Sequence, residues 1–466
     1  MKLFFTLTLF SVFLAFRAYS GDHVAIEYRS SFLDSFYEGK ACVKLNGKVG
    51  YINKDGRYFI PPKFEWGSSF EKGLAAVKQN GKIGIITNRG DFLVTPKYED
   101  LARFAGSFVV RLDGKYGLIG PNGKTLVLPR YDKYACIGDN VVFSVEKRCE
   151  REFTRHSPVE PKKAFVFDSK GCLLRKMDLS EYDVVFFCKY VPVAIVRKHG
   201  LMGLIDLRGD LLLKPSYERI CFEYGNYATV SKDGKNGLID RDGKVILPLT
   251  NGKFEVYPKE KRLLLERNGK SALYDFELNK ISADFDVEMA YSFENSVLPI
   301  KTRNALMHIS KDGEVIRTFD AKYEFISPFI NGVADFLLEG AGKSGILDAS
   351  LKVIVPPEYH FIFPLPEGII FAENCDNNQS RFGLFDMKGK VLLPCEYQRV
   401  GGHKGDLFTE GLCPIVQVDD QGLVAQMGYI NKKGELVLVF DFKTKTFKKV
   451  NDNSTLTHKQ EHSKQK

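Results

Sequence analysis

The chain has one tryptophan in 466 residues, and its nine cysteines follow no regular spacing. Neither scarcity is neutral. An odd, irregular set (Cys42, Cys136, Cys149, Cys172, Cys188, Cys221, Cys375, Cys395, Cys413) does not make a disulfide framework, so most are expected as small apolar residues in strands. A pairing of Cys375 with Cys395 or Cys413 stays open. The eight histidines show no H-E-x-x-H or i, i+4 spacing, and no G-x-S-x-G elbow is present, which removes the usual zinc-hydrolase and serine-hydrolase patterns. The formal charge of +9 is modest and interspersed, so a nucleic-acid footprint is not expected.

The opening residues supply a lysine, an apolar run from Leu3 to Phe16, and small residues at Ala18 and Ser20. This order reads as a secretory signal peptide over 1–20. The run is shorter than the ~20 residues that span a bilayer, and no later stretch is long and apolar enough to do so. An exported protein, secreted or periplasmic, is expected. An apolar fraction of 44% is ample for a large core.

Self-similarity dominates the rest. "GKVGYINKDG", "GKIGIITNRG", "GKYGLIGPNG", "GLMGLIDLRG" and "GKNGLIDRDG" place Gly50, Gly84, Gly117, Gly203 and Gly237 each six residues before a second glycine, and Gly345, Gly383 and Gly428 continue the series. Upstream lies an aromatic residue, a glycine and a short apolar run, as in "FEKGLAAVK". Downstream lies a proline followed by Phe64, Tyr98, Tyr131, Tyr217, Tyr359 or Tyr397. Asn-Gly between two β-branched runs signals a hairpin, and Asp/Asn-x-x-Gly signals a second tight turn. The proline is expected to end the third strand, because it cannot donate to a ladder. Each unit of about 34 residues then reads as a three-stranded meander, about eleven times over. A strand glycine implies something in close approach, and the Tyr98-type ring is the expected occupant of the Gly84-type gap.

The pattern resembles the WG repeat family, whose units read aromatic, x, Glu, Gly, Leu, Ala, x, Val, then Asn-Gly-Lys-Trp-Gly-Tyr-Ile-Asp, x, x, Gly, then Pro and Tyr. The family tryptophan is replaced here by Val49, Ile83, Tyr116, Met202, Asn236, Ser344, Phe382 or Met427, and Trp66-Gly67 lies between units. The resemblance implies a β-rich, secreted or envelope-associated bacterial protein, and it brings no catalytic residues. An all-β fold is expected, with tandem meanders forming an extended array; one or two propellers are the alternative. The expected organisation is a lead-in over 21–34, a first sub-array over 35–250, degenerate repeats over 251–325, a second sub-array over 326–440 and a basic disordered tail over 441–466. In the decayed units the glycine slot holds Phe165, Ala272 and Met307.

Chemistry-like patterns reduce to turns. "IGPNGKT" lacks the first P-loop glycine and any following helix. Asp206, Asp240, Asp348 and Asp386 recur in one slot of the unit, so they form a spaced row of turn starters. The irregular copies direct attention elsewhere: the Asn-Gly-Lys turn is expanded in 146–164, 373–381 and 417–426. Candidate binding residues there are Arg148, Arg151, Arg155, Asn374, Asp376, Asp419 and Asp420. Expected overall is a monomeric, non-enzymatic interaction scaffold without cofactor or metal, whose partner is an unknown protein or envelope polymer and neither nucleic acid nor a membrane. A carbohydrate or cell-wall binder, and an enzyme with its site in the expanded loops, are the alternatives.

Overall fold

The computed structural model describes residues 32–146, 161–188, 191–376, 379–401, 407–418 and 424–450. The hairpin signals form as read. Asn46-Gly47 and Asn80-Gly81 both take left-handed φ (49° and 78°, 51° and 73°), the geometry that lets a two-residue turn follow the twist of its strands. Lys40–Leu45 pairs antiparallel with Lys48–Asn53, and Leu74–Gln79 with Lys82–Thr87.

The repeating sheet has four strands, not three. The segment after each proline and aromatic residue, expected as a connection, pairs with the following apolar run: Asp100–Phe104 pairs with Ser107–Leu112. Nor does the proline end its strand. Phe92–Tyr98 runs through Pro96, which is tolerated because the fourth strand pairs on one side only.

Eleven such sheets follow one another, each an antiparallel meander in chain order. We number them as blades 1 to 11: 32–64, 66–98, 100–131, 133–178, 184–217, 219–250, 254–275, 287–320, 323–359, 361–397 and 399–449. Blade 7 has three strands, blade 11 has five, and the others four.

The extended array expected from the sequence is not what forms. Eleven apolar clusters sit at the junctions of consecutive blades, and one of them joins Val416, Tyr429 and Phe447 of blade 11 to Leu33, Phe36 and Val43 of blade 1. The chain is therefore an eleven-bladed β-propeller. Closure reuses the contacts of an internal junction. Tyr51 Oη of blade 1 donates to the Ser68 carbonyl of blade 2 at 2.8 Å, and Tyr429 Oη of blade 11 donates to the Asp34 carbonyl of blade 1 at the same distance. Glu38 accepts the Gly73 N–H across the first junction at 2.9 Å, as Glu410 accepts the Gly39 N–H across the last at 3.1 Å.

The ring runs through residues 251–325 without a break in the series of junction clusters. One further expectation changes. Residues 441–450 are not a tail: Thr446–Lys449 is the fifth strand of blade 11, and Phe447 packs against Gly56 of blade 1. Residues 1–20 and 451–466 lie outside the described residues.

Candidate functional site

Because every blade is an up-and-down meander, its two ends differ. One end bears the hairpin between second and third strands and the exit to the next blade; we call it the loop end. The other bears the first-to-second and third-to-fourth turns. Expanded segments 147–160, 377–378 and 419–423 lie outside the described residues, so Arg148, Arg151, Arg155, Asp419 and Asp420 do too. The strands that flank them are described. Asn140–Glu146 pairs with Pro161–Asp168, Ile369–Asp376 with Gln379–Asp386, and Cys413–Val418 with Val424–Ile430. All three expansions therefore leave the loop end, from blade 4 and from the adjacent blades 10 and 11.

Asn374 is held at the root of the blade 10 expansion. Its side-chain amide lies 2.8 Å from Nδ1 of His360, and the Cys375 N–H lies 3.0 Å from the same nitrogen. Asp376 ends the strand beside it. Two ring side chains missed in the sequence reading also face solvent at the start of first strands, hence at the loop end: Trp66 is 45% exposed and Phe361 is 42% exposed. Their only sequence signal is an aromatic residue at the head of a strand that was taken for a connection.

The repeat residues are structural. A Cβ placed on Gly50, Gly84, Gly117, Gly203, Gly237, Gly345, Gly383 or Gly428 would come within 2.2–2.7 Å of a fourth-strand carbonyl oxygen. For Gly84 that oxygen belongs to Val94, with Pro96 N at 2.8 Å. The expected occupant of the gap, the Tyr98 ring, is thus replaced by backbone. The register explains why: Ile83 pairs with Tyr98 and Ile85 with Val94, so the fourth strand carries two extra residues opposite the glycine and bulges onto it. Phe64, Tyr98, Tyr131 and Tyr397 are buried in the core shared with the next blade, whereas Tyr217 and Tyr359 are half-buried.

Asp206, Asp240, Asp348 and Asp386 each accept two backbone N–H groups of their own turn through Oδ1, at 2.8–3.0 Å. They cap third-to-fourth turns of blades 5, 6, 9 and 10 and do not converge. "IGPNGKT" is the same turn in blade 3, closed by the Gly120 N–H donating to the Lys124 carbonyl. Cys375, Cys395 and Cys413 form no disulfide, so neither expected pairing is present. Burial pushes the Cys188 thiol up to about 12 and the Cys395 thiol to about 11, which keeps both protonated and poorly nucleophilic. Among the described residues no three His, Cys, Asp or Glu side chains converge to hold a metal ion, and no helix is long and apolar enough to cross a membrane.

With the geometry in place, the sequence can be set beside known proteins. The WG containing repeat model matches residues 23–48, 50–82, 202–235, 345–378 and 382–417. Five repeats thus recur along the ring, and the chain belongs to the WG containing repeat family. No protein of curated function matches it. Among solved structures it is similar to a eukaryotic initiation factor (11% identity, 81% of this chain and 98% of that one, TM-score 0.39). It is also similar to the extracellular domain of a hybrid two component system from B. thetaiotaomicron (12%, 93% and 72%, TM-score 0.25) and to streptogramin B lyase (13%, 53% and 91%, TM-score 0.24). At these scores none of the three bears on function.

Proposed function

We propose that the protein is an exported, non-catalytic propeller scaffold that binds another macromolecule through its loop end. The reading is carried by one observation: all three expanded turns leave that end, two of them from neighbouring blades. Insertions on a common face of a repeat protein are a frequent way to build a binding surface on a rigid frame. The repeated acids support the absence of catalysis, since Oδ1 of each is engaged in capping its own turn. The apolar run at the start of the sequence supports export.

The test is a pull-down from envelope extract with the mature chain and with a variant lacking residues 148–162. The variant is expected to fold and to lose the captured partner; retention of the same partner removes this loop from the site. A second reading, carbohydrate binding, is favoured by the exposure of Trp66 and Phe361 at the same end, because flat rings in water are stacking platforms for sugars. Glycan-array binding abolished by Trp66→Ala would support it, and an array without signal would remove it.

A further inference from the structure

Lysine and arginine recur in step with the blades, but only in part of the ring. The residue just before the terminal aromatic of the fourth strand is Lys63 in blade 1, Lys97 in blade 2 and Arg130 in blade 3. It is Ser216 in blade 5, and it turns acidic as Glu358 and Glu396 in blades 9 and 10. The hairpin at the same end of the blade follows suit. Lys48, Lys82 and Lys115 come directly after its glycine. Lys44, Lys78 and Arg111 stand two residues before its Asn or Asp. In blade 10 the position of Lys44 is held by Glu373: Lys44 pairs with Val49 and Glu373 with Phe382, each just before the repeat glycine. Residues one repeat apart in the chain thus recur at the same place on successive blades. A charge that is interspersed in the sequence gathers at the loop end of blades 1–3.

Three of these cations are also held in place. Lys63 Nζ lies 5.2 Å from the centre of the Phe64 ring, Lys97 Nζ 5.1 Å from that of Tyr98, and the Arg130 guanidinium 5.3 Å from that of Tyr131. The rings are buried and the cations exposed, so each charge sits on a fixed post and loses less freedom when an anion arrives. On these stretches of blades 1–3 the nine cations stand against five acids, Glu65, Glu99, Asp100, Asp113 and Asp132. Glu65 accepts the Gly81 N–H at 3.1 Å, Glu99 accepts Nε of Arg111 at 2.8 Å, and Asp132 accepts from Lys115. Among the described residues the acids pair with Lys82, Arg111 and Lys115, and none pairs with Lys63, Lys97 or Arg130. Trp66 adds a flat surface. It heads the first strand of blade 2 directly opposite Lys78 and is 45% exposed.

We infer that the loop end of blades 1–3 binds an acidic polysaccharide, whose carboxylates meet Lys63, Lys97 and Arg130 in turn while one sugar face stacks on Trp66. The inference rests on the loop-end reading and names its partner class, but it needs none of the expanded turns. A linear polymer with anions at a regular interval suits a row of cations repeated blade by blade. The ring beside the row favours sugar over bare polyphosphate, and a single ring for three blades does not make the series of platforms on which successive nucleic-acid bases stack. The probe is fluorescein-labelled oligogalacturonate, followed by anisotropy on the full mature chain. Its fully methyl-esterified form, polyphosphate and single-stranded oligodeoxythymidylate are the controls. Expected are saturable binding of the oligogalacturonate and at least about tenfold weaker binding of each control. The triple variant Lys63→Glu, Lys97→Glu and Arg130→Glu should lose about tenfold or more, and Trp66→Ala about fivefold or more. Thermal melts show that each is folded; if the triple variant is not, the same three positions changed to Gln decide. The 148–162 deletion should bind oligogalacturonate like the parent chain. No binding up to about 1 mM, equal binding of any control, or parental affinity in the triple variant or in Trp66→Ala overturns the inference. A mature chain that captures a partner through residues 148–162 and ignores oligogalacturonate overturns it alone and leaves the loop-end reading standing.

Discussion

Blades 2 and 8 have the same four strands but differ at one position of the third, and the difference passes to the strand beside it. Blade 2 has Gly84 there, and its fourth strand swells by two residues around Pro96 to lay a carbonyl on the glycine. Blade 8 has Met307, no proline in Val315–Asp320, and an unbroken register there: Met307 opposite Thr318, His308 opposite Arg317. Blade 4 behaves like blade 8, with Phe165 opposite Lys176 and Val166 opposite Arg175. The glycine and the proline bulge thus occur together in most blades, and blade 11 separates them: Gly428 pairs directly with Val439, and Leu436–Asp441 holds no proline. Decay of the motif in these units changes the edge strand and leaves the sheet intact, because the four-strand order does not depend on the bulge.

This comparison can be broken most directly with Gly84→Val. A Cβ 2.5 Å from the Val94 oxygen forces the bulge off the strand, and a loss of about 3 kcal/mol is expected in denaturant titration. No change in midpoint would mean that the bulge yields freely. Sharper still is the same substitution with Thr95 and Pro96 removed, which imitates the regular ladder of blade 8. Recovery of roughly half the loss or more is expected, since the two sites share one contact.

A smaller effect separates blade 9 from its neighbours. Burial, with the Glu294 carboxylate adding to it, pushes Asp335 up to about 7. The folded state then prefers the protonated acid, so this contribution to stability is complete below the ordinary carboxylate range and is lost as pH rises through about 7. Between about pH 5 and about pH 9 the chain should lose on the order of 2 kcal/mol through this group, and Asp335→Asn should flatten that dependence in melts across pH. Smallest is the pair Tyr51→Phe and Tyr429→Phe. Each removes one inter-blade hydrogen bond and should cost about 1 kcal/mol. If only the second is silent, the ring does not close in solution at blades 11 and 1.

Much of the unit was legible because its signals are local. Asn80-Gly81, the Asp206-type caps and the glycine series follow from φ and side-chain reach within a few residues. The candidate site was legible only as an irregularity in that pattern, a swollen turn at Asn374 or Asp419, since the repeat says where insertions fall but not what they contact. The first strand was missed for a physical reason. Segments such as Asp100–Phe104 and Lys133–Ile137 lie at the blade edge and are mostly half-buried, so they lack the apolar alternation that marks a strand.

The sequence by itself determined the unit: its turns, its glycines and its number, each dictated by backbone sterics acting over a few residues. Only the tertiary structure decided that eleven units close into a ring. Closure depends on the angle between successive blades, set by how Tyr98-type rings and turn glycines pack across each junction, and a small change per junction accumulates over the whole chain. A contact such as Tyr429 Oη to the Asp34 carbonyl, 395 residues apart, is the sum of all those angles.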